Sequence, residues 1–232
     1  MKSKLLLLAM VLVFSLISCD KENNLTTEQE NLILTLNAKE VANEHNRILG
    51  EIQSIQGKNS KLSLNSSVNS INIDMSENDR QIIVEWAESN NVEDFDDLIM
   101  NSISTNLAKN YYQQIDSAID VDFSNSENLS NSISDILEDA EVNVVNEVDL
   151  QILKIYGETS IASSNYWFNG NNHSKKKTSK TAWPDWVKAD GKGAAGASIT
   201  WAVGASMASG PVAPATYFVC VGLGGALASM MS

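Results

Sequence analysis

The spacing of apolar residues along the chain predicts a series of amphipathic helices. From Leu34 to Ile55 the apolar residues recur mostly at intervals of three, four or seven, which places them on one helical face. Further stretches with this spacing begin near Ser76, Val92, Ser124 or Ser126, and Asn146. No sustained two-residue alternation, the pattern typical of strands, competes with them. We therefore expect an all-α fold with a bundle of about five helices over residues 28–168.

Local signals predict where the first helix begins and ends. Thr27 and Glu30 match a capping box, in which each side chain bonds a free backbone N–H of the first turn. Gly57 is placed to end the same helix. Residues 58–73 alternate apolar residues with Ser and Asn, which fits a short strand or a polar loop. The scarcity of β-branched residues favours the loop.

Two apolar segments joined by a turn containing Gly and Pro predict a helical hairpin over residues 193–232. Small residues recur in both segments at the spacing that lets helix backbones approach closely. We expect Gly196, Gly204, Gly222 and Gly225 on the contact face of this glycine-zipper hairpin.

The sequence leaves three roles open for the hairpin. It fits a buried element packed against the bundle, a membrane-contacting element, or a self-associating segment. At about 1.5 Å per residue, residues 194–209 and 215–231 would each span roughly 25 Å. A bilayer core is about 30 Å thick, so spanning it would require thinning or tilting.

Charge divides the chain into an acidic body, a basic neck and an uncharged tail. Residues 19–172 carry 8 Lys and Arg against 27 Asp and Glu, and the formal net charge of the whole chain is −13. No charged residue follows Lys192. Such an acidic body argues against nucleic acid as a partner, because nucleic-acid binding needs cations that neutralise phosphates.

The neck, residues 169–192, combines lysines with tryptophans. Lys175–Lys177 and Lys180 precede Trp183 and Trp186, and Trp201 follows in the hairpin. Lysine and tryptophan together are typical of segments that meet an anionic membrane interface. This composition would suit membrane contact by the neck and the hairpin, and it leaves the other two roles open.

His45 and Asn46 form the one candidate polar site. Helical spacing places His45 between Val41 and Leu49, so its ring should face the bundle interior. A buried histidine binds metal, shuttles protons, or is simply hydrogen-bonded in the core. The other histidine, His173, lies far away in a polar stretch and supplies no metal-ligand spacing. We expect no metal, no cofactor and no catalytic set, and therefore no enzymatic activity.

Two groups of carboxylates invite comparison with calcium loops. Their members are Asp94, Asp96 and Asp97 in one group and Asp116, Asp120 and Asp122 in the other. Neither group has the glycine turn and closing glutamate that such a loop requires. The first group sits at a predicted helix start, where the helix dipole favours carboxylates.

The N-terminus resembles a bacterial lipoprotein signal. Lys2 and Lys4 precede an apolar run over residues 5–16, and Leu-Ile-Ser-Cys at residues 16–19 resembles the lipobox. The resemblance implies a signal peptide over residues 1–18, lipid attachment at Cys19 and a tether over residues 19–27. Cys220, the only other cysteine, is then left without a disulfide partner.

Acidic residues just after Cys19 resemble the surface-export signal of Bacteroidota lipoproteins. Three further patches resemble a group of small uncharacterised Bacteroidota proteins: residues 41–49 (VANEHNRIL), 162–167 (ASSNYW) and 183–190 (WPDWVKAD). That group ends in a Gly/Ala-rich tail similar to class II bacteriocins. The resemblance implies an outer-membrane lipoprotein of a Bacteroidota-like bacterium, exposed at the surface.

Together these features predict a membrane-anchored helical lipoprotein that acts in interaction or assembly. Its contacts would be the membrane, through the lipid, and either the membrane or a second copy, through residues 193–232. The alternative is a tethered bacteriocin-like effector whose hairpin perturbs target membranes.

Overall fold

The computed structural model describes residues 25–58, 64–73, 77–89, 92–121, 126–169, 183–207 and 214–231. Cys19, the signal peptide, most of the tether and Lys175–Lys177 with Lys180 lie outside these ranges, so the predictions about them stay predictions.

The described residues form an all-α bundle, as the apolar spacing predicts. Its helices are α1 (Thr27–Leu34), α2 (Ala38–Lys58), α3 (Leu64–Asn69), α4 (Glu77–Ser89), α5 (Val92–Ser102), α6 (Asn106–Asp120), α7 (Ser126–Asn143), α8 (Glu147–Asn169), α9 (Trp183–Met207) and α10 (Pro214–Met231).

The first predicted helix is divided in two. Its capping box lies one residue earlier than expected, because the side chain of Thr26 accepts from the backbone N–H of Gln29 and Gln29 bonds back to Thr26. The chain then turns, and the Asn37 side chain accepts from the backbone N–H groups of Lys39 and Glu40 to start α2. Helical spacing continues across the turn, which is why the sequence reads as one helix.

The third predicted helix is also divided, between α5 and α6. Thr105 caps α6, and the buried carboxylate of Asp149 accepts from the backbone N–H groups of Ser104 and Thr105 at 2.8 and 2.9 Å. This interruption depends on a residue 44 positions away in sequence, so local spacing does not reveal it. The prediction of a loop over residues 58–73 was wrong for Leu64–Asn69, which form the short helix α3. The Arg80 guanidinium donates to the Val68 backbone oxygen of this helix.

Helices α9 and α10, which we call the C-terminal hairpin, lie in the core. Helix α9 packs on α8, α5 and α1, while α10 packs on α2 and α4. The hairpin supplies core side chains from both helices: Val187, Ala194, Ala195, Ala197, Ile199, Ala202, Tyr217, Val221, Leu223, Ala226 and Leu227. The predicted boundary between the neck and the hairpin, at residues 192 and 193, lies inside a helix. Helix α9 begins at Trp183 and runs past residue 193 without a break.

Glycines allow these close approaches. A Cβ on Gly225 would lie 2.9 Å from the backbone oxygen of Asp190 and 3.2 Å from the Ala194 Cβ, so Gly225 lies where the two hairpin helices touch. Gly193 meets Ala228 at the same interface.

Two other predicted contact glycines face the bundle instead of the partner helix. Gly196 lies against Phe95 of α5, and Gly222 lies against the Glu44–His45 segment of α2. The surroundings of Gly204 fall outside the described part of the structure. The small residues therefore serve packing between the hairpin and the bundle as well as packing within the hairpin.

Candidate functional site

The most concentrated polar chemistry in the core surrounds Asp190 of α9. His45 Nε2 lies 3.0 Å from Asp190 Oδ1, and both side chains are fully buried. The second oxygen, Oδ2, accepts from Ser163 Oγ at 2.5 Å and from Trp167 Nε1 at 3.1 Å. We call these residues, with Asn46, the Asp190 cluster. It joins α2, α8 and α9.

Asn46 completes the cluster on the other side of the imidazole. Its Nδ2 donates to the backbone oxygen of Ala162 at 2.9 Å, which fixes the orientation of the amide. The amide oxygen therefore faces His45 Nδ1, at 3.0 Å. An oxygen thus lies 3.0 Å from each ring nitrogen, one from an amide and one from a carboxylate.

The contact between His45 and Asp190 is electrostatic more than directional. The two atoms are close, but the ring N–H does not point along the line to the carboxylate oxygen. Ser163 Oγ donates to Asp190 and makes no bond to His45, so these three residues do not form an aligned nucleophile and base. Their arrangement is suited to holding helices together through buried polar contacts.

A second polar cluster lies on the opposite face of α9. Lys192 Nζ lies 2.7 Å from Asp96 Oδ1 and 3.0 Å from Asp116 Oδ1. Lys188 Nζ lies 3.0 Å from Asp116 Oδ2 and 2.7 Å from Asp120 Oδ2. We call these five residues the Lys192 cluster. It ties α9 to α5 and α6.

Tyrosine hydroxyls complete the coordination of these carboxylates. Tyr112 donates to Asp96 at 2.5 Å, and Tyr156 donates to Asp116 at 2.8 Å. Burial, and then the neighbouring carboxylates, raise the pKa of both phenols well above 10, so both remain donors.

The charges on Lys188 and Asp116 depend on each other. Burial alone would raise the pKa of Asp116, but Lys192 and Lys188 outweigh it and hold that pKa below 3.8. Burial would lower the pKa of Lys188, but its bonds to Asp120 and Asp116 raise it above 10.5. Both groups are therefore charged near neutral pH.

Helical periodicity explains how one short stretch of α9 serves both clusters. Lys188 and Lys192 are four residues apart and share a face, whereas Asp190 lies about 200° around the axis from Lys188. No charged residue follows Lys192 in the sequence. All side-chain charge that fixes the described hairpin helices to the bundle thus comes from this stretch.

The structure places the sequence candidates as follows. His45 and Asn46 face the core, as their spacing predicts, and Asp190, Ser163 and Trp167 are the partners that sequence reasoning missed. The three sequence patches that resemble the Bacteroidota group, residues 41–49, 162–167 and 183–190, all contribute to this one cluster. The three patches share one resemblance in the sequence, and this common feature is the signal that could have indicated that they lie together.

Several aromatic and basic residues of the neck, and Trp201 of the hairpin, lie against the bundle. The Trp186 ring stacks on Trp167 with centroids 4.7 Å apart, and Trp201 packs against the core. Lys188 and Lys192, counted with the basic neck, pair with acidic residues of the bundle. Asp96, Asp116 and Asp120 thus form ion pairs with these two lysines, an arrangement that the helix-dipole argument does not predict.

No protein-family model, curated protein or solved structure matches this chain. Across the described ranges, no helix combines the length and the apolarity needed to cross a bilayer. The functional argument therefore rests on the chain's own geometry.

Proposed function

We propose that this protein is a lipid-tethered helical module of the outer membrane that acts through its folded acidic body. The lipid would be carried by Cys19, and residues 1–18 would be removed as the signal peptide. The supporting observation is the burial of the C-terminal hairpin, whose apolar residues belong to the same core clusters as the bundle. Because the hairpin is packed in the core, this proposal assigns membrane attachment to the lipid.

The surface of the bundle suggests the chemistry of its partner. Helix α7 carries five exposed acidic residues: Glu127, Asp135, Glu138, Asp139 and Glu141. Of these, Asp139 accepts from Tyr111 and Glu141 pairs with Lys154. Val142 in the last turn of this helix and Val145 just after it are 83% and 93% exposed. An acidic surface with exposed apolar residues suits a basic protein partner, because opposite charge speeds encounter and apolar contact adds affinity.

Membrane fractionation with mass spectrometry of the mature chain tests this proposal. We expect Cys19→Ala to move the protein from the membrane to the soluble fraction, with loss of the mass of the acyl chains. Cys220→Ala is the matched control, because that buried thiol lies in α10 and should leave attachment unchanged. Retention of Cys19→Ala in the membrane would show that another segment anchors the chain.

The tethered bacteriocin-like effector requires the hairpin to leave the core. The observation that favours it is the composition of α10, which has no charged residue and buries side chains on all sides. Dye release from anionic vesicles by the purified full chain separates the two functions. Intact vesicles support the tethered module, whereas release under these conditions supports the effector.

A further inference from the structure

The oxygens around His45 restrict the protonation state of its ring. A neutral imidazole has one N–H and one bare nitrogen, whereas the imidazolium has two N–H groups. Here Asn46 Oδ1 and Asp190 Oδ1 each lie 3.0 Å from a ring nitrogen. In either neutral tautomer, one nitrogen lone pair would therefore face an oxygen lone pair inside the core. While Asp190 is ionised, only the imidazolium avoids such a contact at both nitrogens.

The cluster also satisfies Asp190 as an anion. Ser163 Oγ and Trp167 Nε1 both donate to Oδ2, which leaves Oδ1 to face His45. Two donors on Oδ2 suit the ionised carboxylate, whose charge strengthens both hydrogen bonds. A cationic ring against this anion compensates its charge in a place that water does not reach.

The cluster sits where α9, α10 and α2 meet. A Cβ on Gly225 of α10 would lie 2.9 Å from both the Asp190 backbone oxygen and the His45 Cδ2. Gly222 packs on the backbone of Glu44 and His45 one turn earlier. Any displacement of the ring or of Asp190 therefore acts directly on how both hairpin helices seat against the bundle.

We propose that the His45 imidazolium and the Asp190 carboxylate form a proton-dependent latch that holds the C-terminal hairpin in the bundle. Loss of the His45 proton leaves Asp190 buried without a counter-ion. The hairpin then opens more readily, and its apolar faces reach the surface. This regulatory role goes beyond the proposed tether, and it does not depend on lipid attachment.

Other charged groups near the latch stay fixed while His45 titrates. On α2, Glu44 is paired with Arg47. On α8, burial and then Asp190 raise the pKa of Tyr166. The lysines of α9 face away toward α5 and α6, with their carboxylate partners. Helix α10 has no charged residue; its titratable side chains are Cys220 and Tyr217, and burial raises the pKa of Tyr217. The sign follows from the proton: the latch is present while His45 carries the proton, and it is lost when rising pH removes that proton.

Ring ¹⁵N chemical shifts measure the protonation state directly. The chain has only two histidines, so His173→Gln leaves His45 as the single imidazole signal. We expect both ring nitrogens of His45 to be protonated near neutral pH. Amide hydrogen exchange, corrected for intrinsic rates, is then followed over the same pH series for α9, α10 and the distant α7.

Supporting results are an imidazolium signal and a loss of protection in α9 and α10, but not in α7, as that signal titrates. His45→Gln at neutral pH should raise hairpin opening at least about a hundredfold, because breaking a buried pair leaves an uncompensated charge. Adding Asp190→Asn to it should recover part of that loss. A neutral imidazole at neutral pH, or hairpin protection that does not change as His45 titrates, would overturn the proposal.

If His45→Gln does not fold, the wild-type pH series still decides the matter. Failure of the latch leaves the proposed tether intact, since membrane release of Cys19→Ala does not depend on His45.

Discussion

His45 and Asp190 are 145 residues apart in sequence, yet His45 Nε2 lies 3.0 Å from Asp190 Oδ1 with both side chains fully buried. This pair links the second helix to the penultimate one and places the uncharged end of the chain inside an acidic bundle. The folded body therefore depends on a few charged groups of α9 as much as on its apolar residues.

Neutralising Asp190 should destabilise the fold far more than neutralising a carboxylate elsewhere on the same helix. We expect Asp190→Asn to lower the free energy of unfolding by about 3 kcal/mol, because His45 loses its counter-ion in the core. Asp185→Asn is the control, since Asp185 is exposed in the first turn of α9 and its dipole contribution is below about 1 kcal/mol. Urea unfolding measures both; equal effects would show that burial of the pair is unimportant.

Gly225→Ala and Gly50→Ala should have opposite effects on stability. A Cβ at Gly225 would lie 2.9 Å from a backbone oxygen, so α9 and α10 must separate, at a cost of about 1–3 kcal/mol. A Cβ at Gly50 would meet only Tyr166, with its hydroxyl oxygen at 3.6 Å, so the better helix propensity of alanine should add roughly 0.5–1 kcal/mol. Thermal unfolding of both variants provides the comparison. A stabilising Gly225→Ala would contradict the close approach.

Asp149→Ala should loosen the start of α6 as well as the start of α8. Its carboxylate accepts from the backbone N–H groups and hydroxyls of Ser104 and Thr105, and its side chain is 1% exposed. We expect a loss of about 1.5–3 kcal/mol, because partly buried donors lose a charged acceptor. Hydrogen exchange should show the loss at residues 104–108.

Glu147→Ala is the matched control for Asp149, because Glu147 is exposed in the same first turn of α8. It should leave exchange at residues 104–108 unchanged. If both variants behave alike, the Asp149 contact does not set the boundary between α5 and α6.

Acid should remove the stability that Asp116 contributes through the Lys192 cluster. Because its folded pKa is below 3.8, that contribution is present above pH 3.8 and is lost as pH falls through the folded value. We expect the urea midpoint of Asp116→Asn to depend less on pH than that of the wild type over this range. Asp135→Asn, at an exposed position on α7, should keep the wild-type slope. An unchanged slope in Asp116→Asn would contradict the assignment.

Local sequence signals located most helices but not their interruptions. Capping residues and the three- and four-residue spacing predicted helices over most of the ranges where they occur. The breaks at residues 35–37 and 103–105 were missed, because the apolar spacing continues across the first and the second depends on Asp149 from another helix. Side-chain spacing alone carries no information about a cap supplied from a distance.

The sequence by itself determined the helical class, the inward face of His45 and the division of charge along the chain. Each of these follows from neighbours within one or two helical turns, where 3.6-residue periodicity controls which side chains share a face. Only the tertiary structure decided that Lys188 and Lys192 turn inward, that Asp190 meets His45, and that the small-residue hairpin lies in the core. Those outcomes depend on which helices pack together, because a buried charge is stable only where the fold brings its counter-ion.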